Sequence, residues 1–206
     1  MNLPNKITIS RIFLVPLLMI FLIPIPDATV NFPLLAFLKS EMLGINKFIN
    51  GTGSYVAAII FILAASTDGV DGYIARKHKL ITALGKFLDP IADKLLITAA
   101  LIALVQRDVI TGWAAMIIIS RELLVTGMRS IAAAEGQVIA ANKSGKFKMV
   151  CQTVAISVCL LKNWPFSMFT DLPIDTYLMT VAVLVTIYSG VDFFMKNSKI
   201  LKSGGC

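Results

Sequence analysis

Residues 68–93 read DGVDGYIARKHKLITALGKFLDPIAD, and apolar runs adjoin both ends, at 55–67 and 95–105. Asp68 and Asp71 are three positions apart, Asp89 and Asp93 four, so on helices each pair shares one face. The first run is expected to continue as a helix to about Arg76, and the second helix to begin near Phe87. A connection that short makes the two helices antiparallel neighbours. Both carboxylate pairs can then face each other near one membrane surface.

The rest of the chain is of the same kind. Further apolar runs at 12–26, 113–119, 149–161 and 177–191 bring the expected helices to six, the fourth continuing through Arg121 and Glu122 to about Ile131. Of 206 residues, 57% are hydrophobic and 15% charged, against ~25% charged in soluble domains. The mean hydropathy is +0.81. A soluble domain of this length has no interior for so much apolar side chain, whereas six spans of about 20 residues use it. Disordered chains, disulfide scaffolds and soluble nucleic-acid binders are excluded. The expected fold is an all-α integral membrane protein, residues 1–206 forming a single domain. It has six transmembrane helices and a short N-terminal interfacial segment.

Lys6 and Arg11 precede the first run as in a signal peptide, but Ile25-Pro26-Asp27 is a poor cleavage site, so the helix reads as retained. The stretch 32–49 is broken by Lys39, Glu41, Gly44 and Lys47 and reads as interfacial, not as a seventh span. Cys151 and Cys159 read as small packing or lipid-facing residues. The Ser203–Cys206 tail is either native or an appendage.

The net charge of +7 is unevenly placed. Lys6, Arg11, Arg76, Lys77, Lys79, Lys86, Arg129, Lys143, Lys146, Lys148, Lys196, Lys199 and Lys202 fall on one side of the expected spans. Lys39, Lys47, Arg107 and Lys162 fall on the other. The bias puts both termini and the aspartates in the cytoplasm. Basic residues confined to short loops argue against a nucleic-acid partner.

A carboxylate at a membrane edge costs several kcal/mol unless paired. Four together repel unless neutralised, and two divalent cations would cancel their charge. Oxygen-only ligands favour Mg²⁺ or Mn²⁺, with Ca²⁺ open. Two such ions ~4 Å apart clamp phosphate oxygens, and Gly72, Ala75 and Gly85 leave room for a diphosphate. The plainer alternative makes these capping aspartates paired with Arg76, Lys77, Lys86 and Lys94; it suits one aspartate better than four at these spacings.

The pattern Asp68-x2-Asp71-Gly72-x2-Ala75-Arg76-x8-Gly85-x3-Asp89-x3-Asp93 resembles the signature of the CDP-alcohol phosphotransferase family, with all eight fixed positions present. The opening 3–8 with Arg11, the stretch 85–94, Arg121-Glu122 with Arg129, and 145–148 are similar to its bacterial phosphatidylglycerophosphate synthase branch. Met149 stands where that branch often has Thr.

The resemblance implies transfer of a phosphatidyl group from CDP-diacylglycerol to glycerol 3-phosphate, with release of CMP. It implies Asp68, Asp71, Asp89 and Asp93 as ligands of two Mg²⁺ or Mn²⁺ ions, Asp93 also being the general base. Gly72, Arg76, Thr82 and Gly85 match positions that hold the CDP-lipid; Asn5 and Thr8 are weaker candidates, which with Arg11 could instead cap and anchor the first helix. A homodimer in a bacterial cell membrane, multi-pass with its active site facing the cytoplasm, is implied too.

The acceptor site is legible from spacing. Arg121 and Arg129 are eight apart, two helical turns, and share a face. With Lys146 and Lys148 they suit a phosphorylated acceptor, because guanidinium groups bind phosphate oxygens bidentately. Lys143 reads as a topological charge, His78 as a loop residue, and Glu122 as orienting a basic partner. Inositol phosphate or phosphatidylglycerol as acceptor stays open, the latter making a cardiolipin synthase. From another class, so does a divalent-cation transporter using the same aspartates.

Overall fold

The computed structural model describes the backbone of residues 3–78, 83–134 and 143–197, and the side chains within them except at 3–8, 68–90, 93, 134 and 143. The described residues form α1 (Leu3–Leu22), short α2 (Asp27–Val30), α3 (Lys39–Phe48), α4 (Ser54–His78), α5 (Ala83–Gln106), α6 (Gly112–Ala134), α7 (Lys143–Leu160) and α8 (Ile174–Lys196). A 3₁₀ segment, Pro33–Leu38, leads into α3, and a π turn, Ile49–Gly53, joins α3 to α4 without a break. No strand occurs among the described residues. The six long helices correspond to the six apolar runs. α1 already begins at Leu3, so the N-terminal piece expected as a separate interfacial segment is its first turns. Among the described residues, two helical runs are by length and composition apolar enough to cross a membrane by themselves, Pro33–Thr67 and Ile174–Lys196. The first takes in most of the stretch read as interfacial.

Small residues set the packing. α1 lies against α4 and α5, α7 against α8 and α4, and α8 against α6. On α4 the buried face is Ala57, Ala58, Phe61 and Ala64; on α5 it is Ala92, Leu96, Ala99, Ala100 and Ala103. These positions recur at helical spacing, and alanine lets backbones approach without a hydrophobic drive between helices. The outward faces carry Ile59, Leu63, Leu95, Ile102, Met116, Leu123, Leu184 and Tyr188, all exposed. An exterior as apolar as the interior suits lipid, not water.

The end of the bundle away from the aspartates is held by side chains on backbone carbonyls. Asn46 both accepts from Ile25 N–H (2.7 Å) and donates to its carbonyl (2.9 Å). Arg107 donates to the carbonyls of Leu22 (3.0 Å) and Ile49 (3.4 Å). Lys162 donates to those of Asn50 (2.7 Å) and Gly51 (3.2 Å). These two cations, which topology alone would leave as minority charges, clamp the π turn. Burial pulls both below their ordinary pKa values, and the Arg107 charge pulls Lys162 further.

Gly53 lets α1 touch this turn: a Cβ there would stand 2.5 Å from the Phe21 carbonyl oxygen. Gly53→Ala is therefore expected to destabilise the protein by about 1–3 kcal/mol, read as a lower thermal midpoint in detergent. Gly51, with nothing within 4 Å of such a Cβ, is the control. Its alanine variant should stay within about 0.5 kcal/mol of the parent.

Candidate active site

α4 and α5 form a helix hairpin whose connection, 79–82, lies outside the described residues. Asp68, Asp71, Gly72 and Arg76 occupy the last three turns of α4, and Gly85, Asp89 and Asp93 the first three of α5. Their side chains lie outside the described residues, as do Thr82 and the side chains of Asn5 and Thr8 on α1. The backbone alone brings both carboxylate pairs to one end of the hairpin. Arg11, one turn after Thr8, is 2% exposed on the helix that packs against α4 and α5.

The residue after Asp93 ties this hairpin to α6. Lys94 Nζ donates to Thr126 Oγ1, and the Thr126 hydroxyl donates to the Glu122 carbonyl at 2.7 Å. One turn of α5 and the Arg121–Glu122 turn of α6 are thus joined through a single hydroxyl.

Around Glu122 three helices converge. Its Oε1 accepts from Lys148 Nζ of α7 and from Arg121 Nη1 at 3.2 Å. Arg121 Nη2 donates to Ser189 Oγ of α8 at 2.8 Å. The side chains of Lys148, Arg121 and Glu122 are 4%, 12% and 19% exposed, so this ionic cluster is largely desolvated. Arg129, two turns further along α6, lies over the Phe193 ring at 5.6 Å. Both arginines therefore reach α8, from the one face of α6 that their eight-residue spacing gives them. The Nε atoms of Arg121 and Arg129 are buried with no hydrogen-bond partner among the described residues. Lys146 stands apart: it is exposed, two positions or about 200° around α7 from buried Lys148. Ser144 donates to Asp192 at 2.9 Å, and Lys196 pairs with the same carboxylate at 2.6 Å, closing the α7–α8 contact at this end.

Two features escaped the sequence pattern. Ser189 sits in an apolar run and Phe193 two positions past its end, and nothing there marks them as neighbours of arginines 64 to 68 positions away. Thr126 likewise looks like any helical threonine.

The sequence pattern of the CDP-alcohol phosphatidyltransferases matches residues 1–188. The chain belongs to this family. It is 45% identical over 202 residues, 98% of both chains, to a Bacillus subtilis protein named CDP-diacylglycerol–glycerol-3-phosphate 3-phosphatidyltransferase. Proteins of the same name from Rickettsia felis (33% identical, 96% of both chains) and Haemophilus influenzae (31% identical, 93% of this chain and 91% of the relative) are also similar. In this CDP-alcohol phosphatidyltransferase, the eight positions of the aspartate pattern fall on α4 and α5, beside the ionic cluster of α6–α8.

The donor set of Asp68, Asp71, Asp89 and Asp93 fits a divalent cation in chemistry: it is all oxygen, and two helices in contact supply it. No group of three or more His, Cys, Asp or Glu side chains that could hold a metal occurs among the described residues, which do not include these four side chains.

Proposed function

We propose that this chain transfers the phosphatidyl group of CDP-diacylglycerol to glycerol 3-phosphate, giving phosphatidylglycerophosphate and CMP. The relatives whose names carry this reaction cover nearly the whole chain. The structural observation that supports it best is the meeting of Arg121 and Lys148, from two helices, on one carboxylate oxygen. A phosphate of the acceptor presents the same kind of oxygen to the same two cations, and the Lys94–Thr126 link sets that point beside the turn bearing Asp93.

In this reading Asp93 takes the proton of the acceptor hydroxyl. The hydroxyl oxygen forms a bond to the phosphorus of the phosphatidyl group, the bond from that phosphorus to the CMP oxygen breaks, and CMP leaves. Residues 68–93 contain neither serine nor cysteine to act as a nucleophile, which favours direct displacement. Asp68, Asp71, Asp89 and Asp93 would hold two Mg²⁺ or Mn²⁺ ions, which when bound neutralise diphosphate charge. Gly72, Arg76, Thr82 and Gly85 hold the CDP-lipid, with Asn5 and Thr8 contributing from α1. Arg121, Arg129 and Lys148 receive the acceptor phosphate, with exposed Lys146 at its rim. The six long helices span the membrane of a bacterial cell, with the aspartate end and both termini in the cytoplasm, and two copies associate as a homodimer.

Supplying CDP-diacylglycerol with glycerol 3-phosphate, inositol phosphate or phosphatidylglycerol in turn, and identifying the lipid product, tests this directly. Phosphatidylglycerophosphate is the expected product; a different lipid, or divalent-cation flux without CMP release, would overturn the reading. Arg121→Ala is expected to raise the KM for glycerol 3-phosphate at least about tenfold and to leave that for CDP-diacylglycerol nearly unchanged. Equal effects on both would count against the acceptor clamp.

A further inference from the structure

We infer that α8 is the mount of the acceptor clamp, with Ser189 as a positioning residue for Arg121 and Phe193 for Arg129. This rests on the proposal that the two arginines receive the acceptor phosphate. Thr186, Ser189, Gly190 and Phe193 recur at helical spacing on α8, and all four are buried. Each meets a polar side chain of another helix. Thr186 Oγ1 accepts from Gln152 of α7 at 2.7 Å, and Ser189 Oγ accepts from Arg121 at 2.8 Å. A Cβ at position 190 would lie 3.3 Å from Arg121 Cγ, so glycine leaves the arginine stem its room. The Phe193 ring, 3% exposed, faces the Arg129 guanidinium.

The chemistry of the guanidinium makes this more than packing. Arginine is a long flexible side chain whose phosphate affinity depends on a planar fork being held in place. Glu122 and Ser189 take one terminal nitrogen each, which fixes the plane of Arg121. Nε stays buried and without a partner among the described residues, a donor left for a further acceptor. Arg129 is fixed by its ring contact and leaves its Nε in the same condition. A hydroxyl is suited to the role at Ser189. It holds the second terminal nitrogen without adding another carboxylate to the one that Glu122 already sets on the first.

The test is steady-state kinetics of the full chain in mixed micelles, varying each substrate separately. Ser189→Ala is expected to raise the KM for glycerol 3-phosphate about tenfold, leaving the KM for CDP-diacylglycerol and the thermal midpoint near those of the parent. In an Arg121→Ala background the same substitution should add less than about twofold, because coupled residues are not additive. Gly190→Ala, which presses on Arg121 without removing a hydrogen bond, should move the acceptor KM in the same direction and serves if Ser189→Ala does not fold. A raised KM in Arg121→Ala, with unaltered KM in Ser189→Ala and Gly190→Ala, would overturn the mount and spare the clamp. Fully additive effects would overturn it too. An unchanged acceptor KM in Arg121→Ala would overturn the clamp, and the mount with it.

Discussion

Asp93→Asn is expected to lower kcat by about a thousandfold or more while CDP-diacylglycerol still binds. Asparagine keeps the size and one oxygen of the side chain but cannot take up a proton. An acceptor hydroxyl loses its proton only with a base in reach, so the bond-forming step is the one that suffers. General-base removal alone spans about a hundredfold to ten-thousandfold. Asp93 is also one of four proposed cation ligands, which puts its loss toward the upper part of that range. Its position supports the assignment: it lies on the turn of α5 that Lys94 pins to Thr126 of α6, next to the cations proposed to hold the acceptor. Turnover of CDP-diacylglycerol with glycerol 3-phosphate, alongside binding of the CDP-lipid by calorimetry, checks both halves. Near-normal turnover would remove Asp93 from the role of base; loss of lipid binding would make it a ligand first.

The parts of this molecule that were legible in its sequence are those written at short range. Helical spacing joins Asp68 to Asp71, Asp89 to Asp93 and Arg121 to Arg129, because a helix converts intervals of three, four and eight into a shared face. The hydropathy runs gave the six long helices for a similar reason, although α5 begins at Ala83, ahead of Phe87, and α6 reaches Ala134, past Ile131. What stayed hidden depends on which helices pair and at what rotation. Lys146 and Lys148 look equivalent in the chain, yet α7 turns the first outward and buries the second beside Glu122. Arg107 and Lys162 look like stray charges on the minority side, and become donors to backbone carbonyls only once the ends of α5 and α7 meet α1 and the π turn. The largest gap concerns α8. Its run 177–191 is uniform enough to read as plain membrane packing, and only the α6–α8 contact reveals that Ser189 and Phe193 face arginines.

Glu122 is where stability and acceptor binding should come apart. Its carboxylate accepts from Arg121 and Lys148, two cations drawn largely out of water by three packed helices. Removing one member of such a cluster leaves buried positive charge without its counter-ion, a change that costs about 3–5 kcal/mol where it has been measured. Glu122→Ala should therefore lower the thermal midpoint in detergent by several degrees, more than any of the α8 substitutions. Deleting one of the cations as well relieves the excess charge, since a buried ion pair replaced by apolar groups is often neutral in stability. The double variant Glu122→Ala with Lys148→Met should then recover much of the lost midpoint. Its acceptor KM should nonetheless lie above that of the parent, because Lys148 is itself proposed to bind the phosphate. A double variant that recovered stability and acceptor affinity together would show Lys148 to be only Glu122's structural partner. Recovery of neither would mean that the carboxylate is held for its packing between α6 and α7, not for its charge.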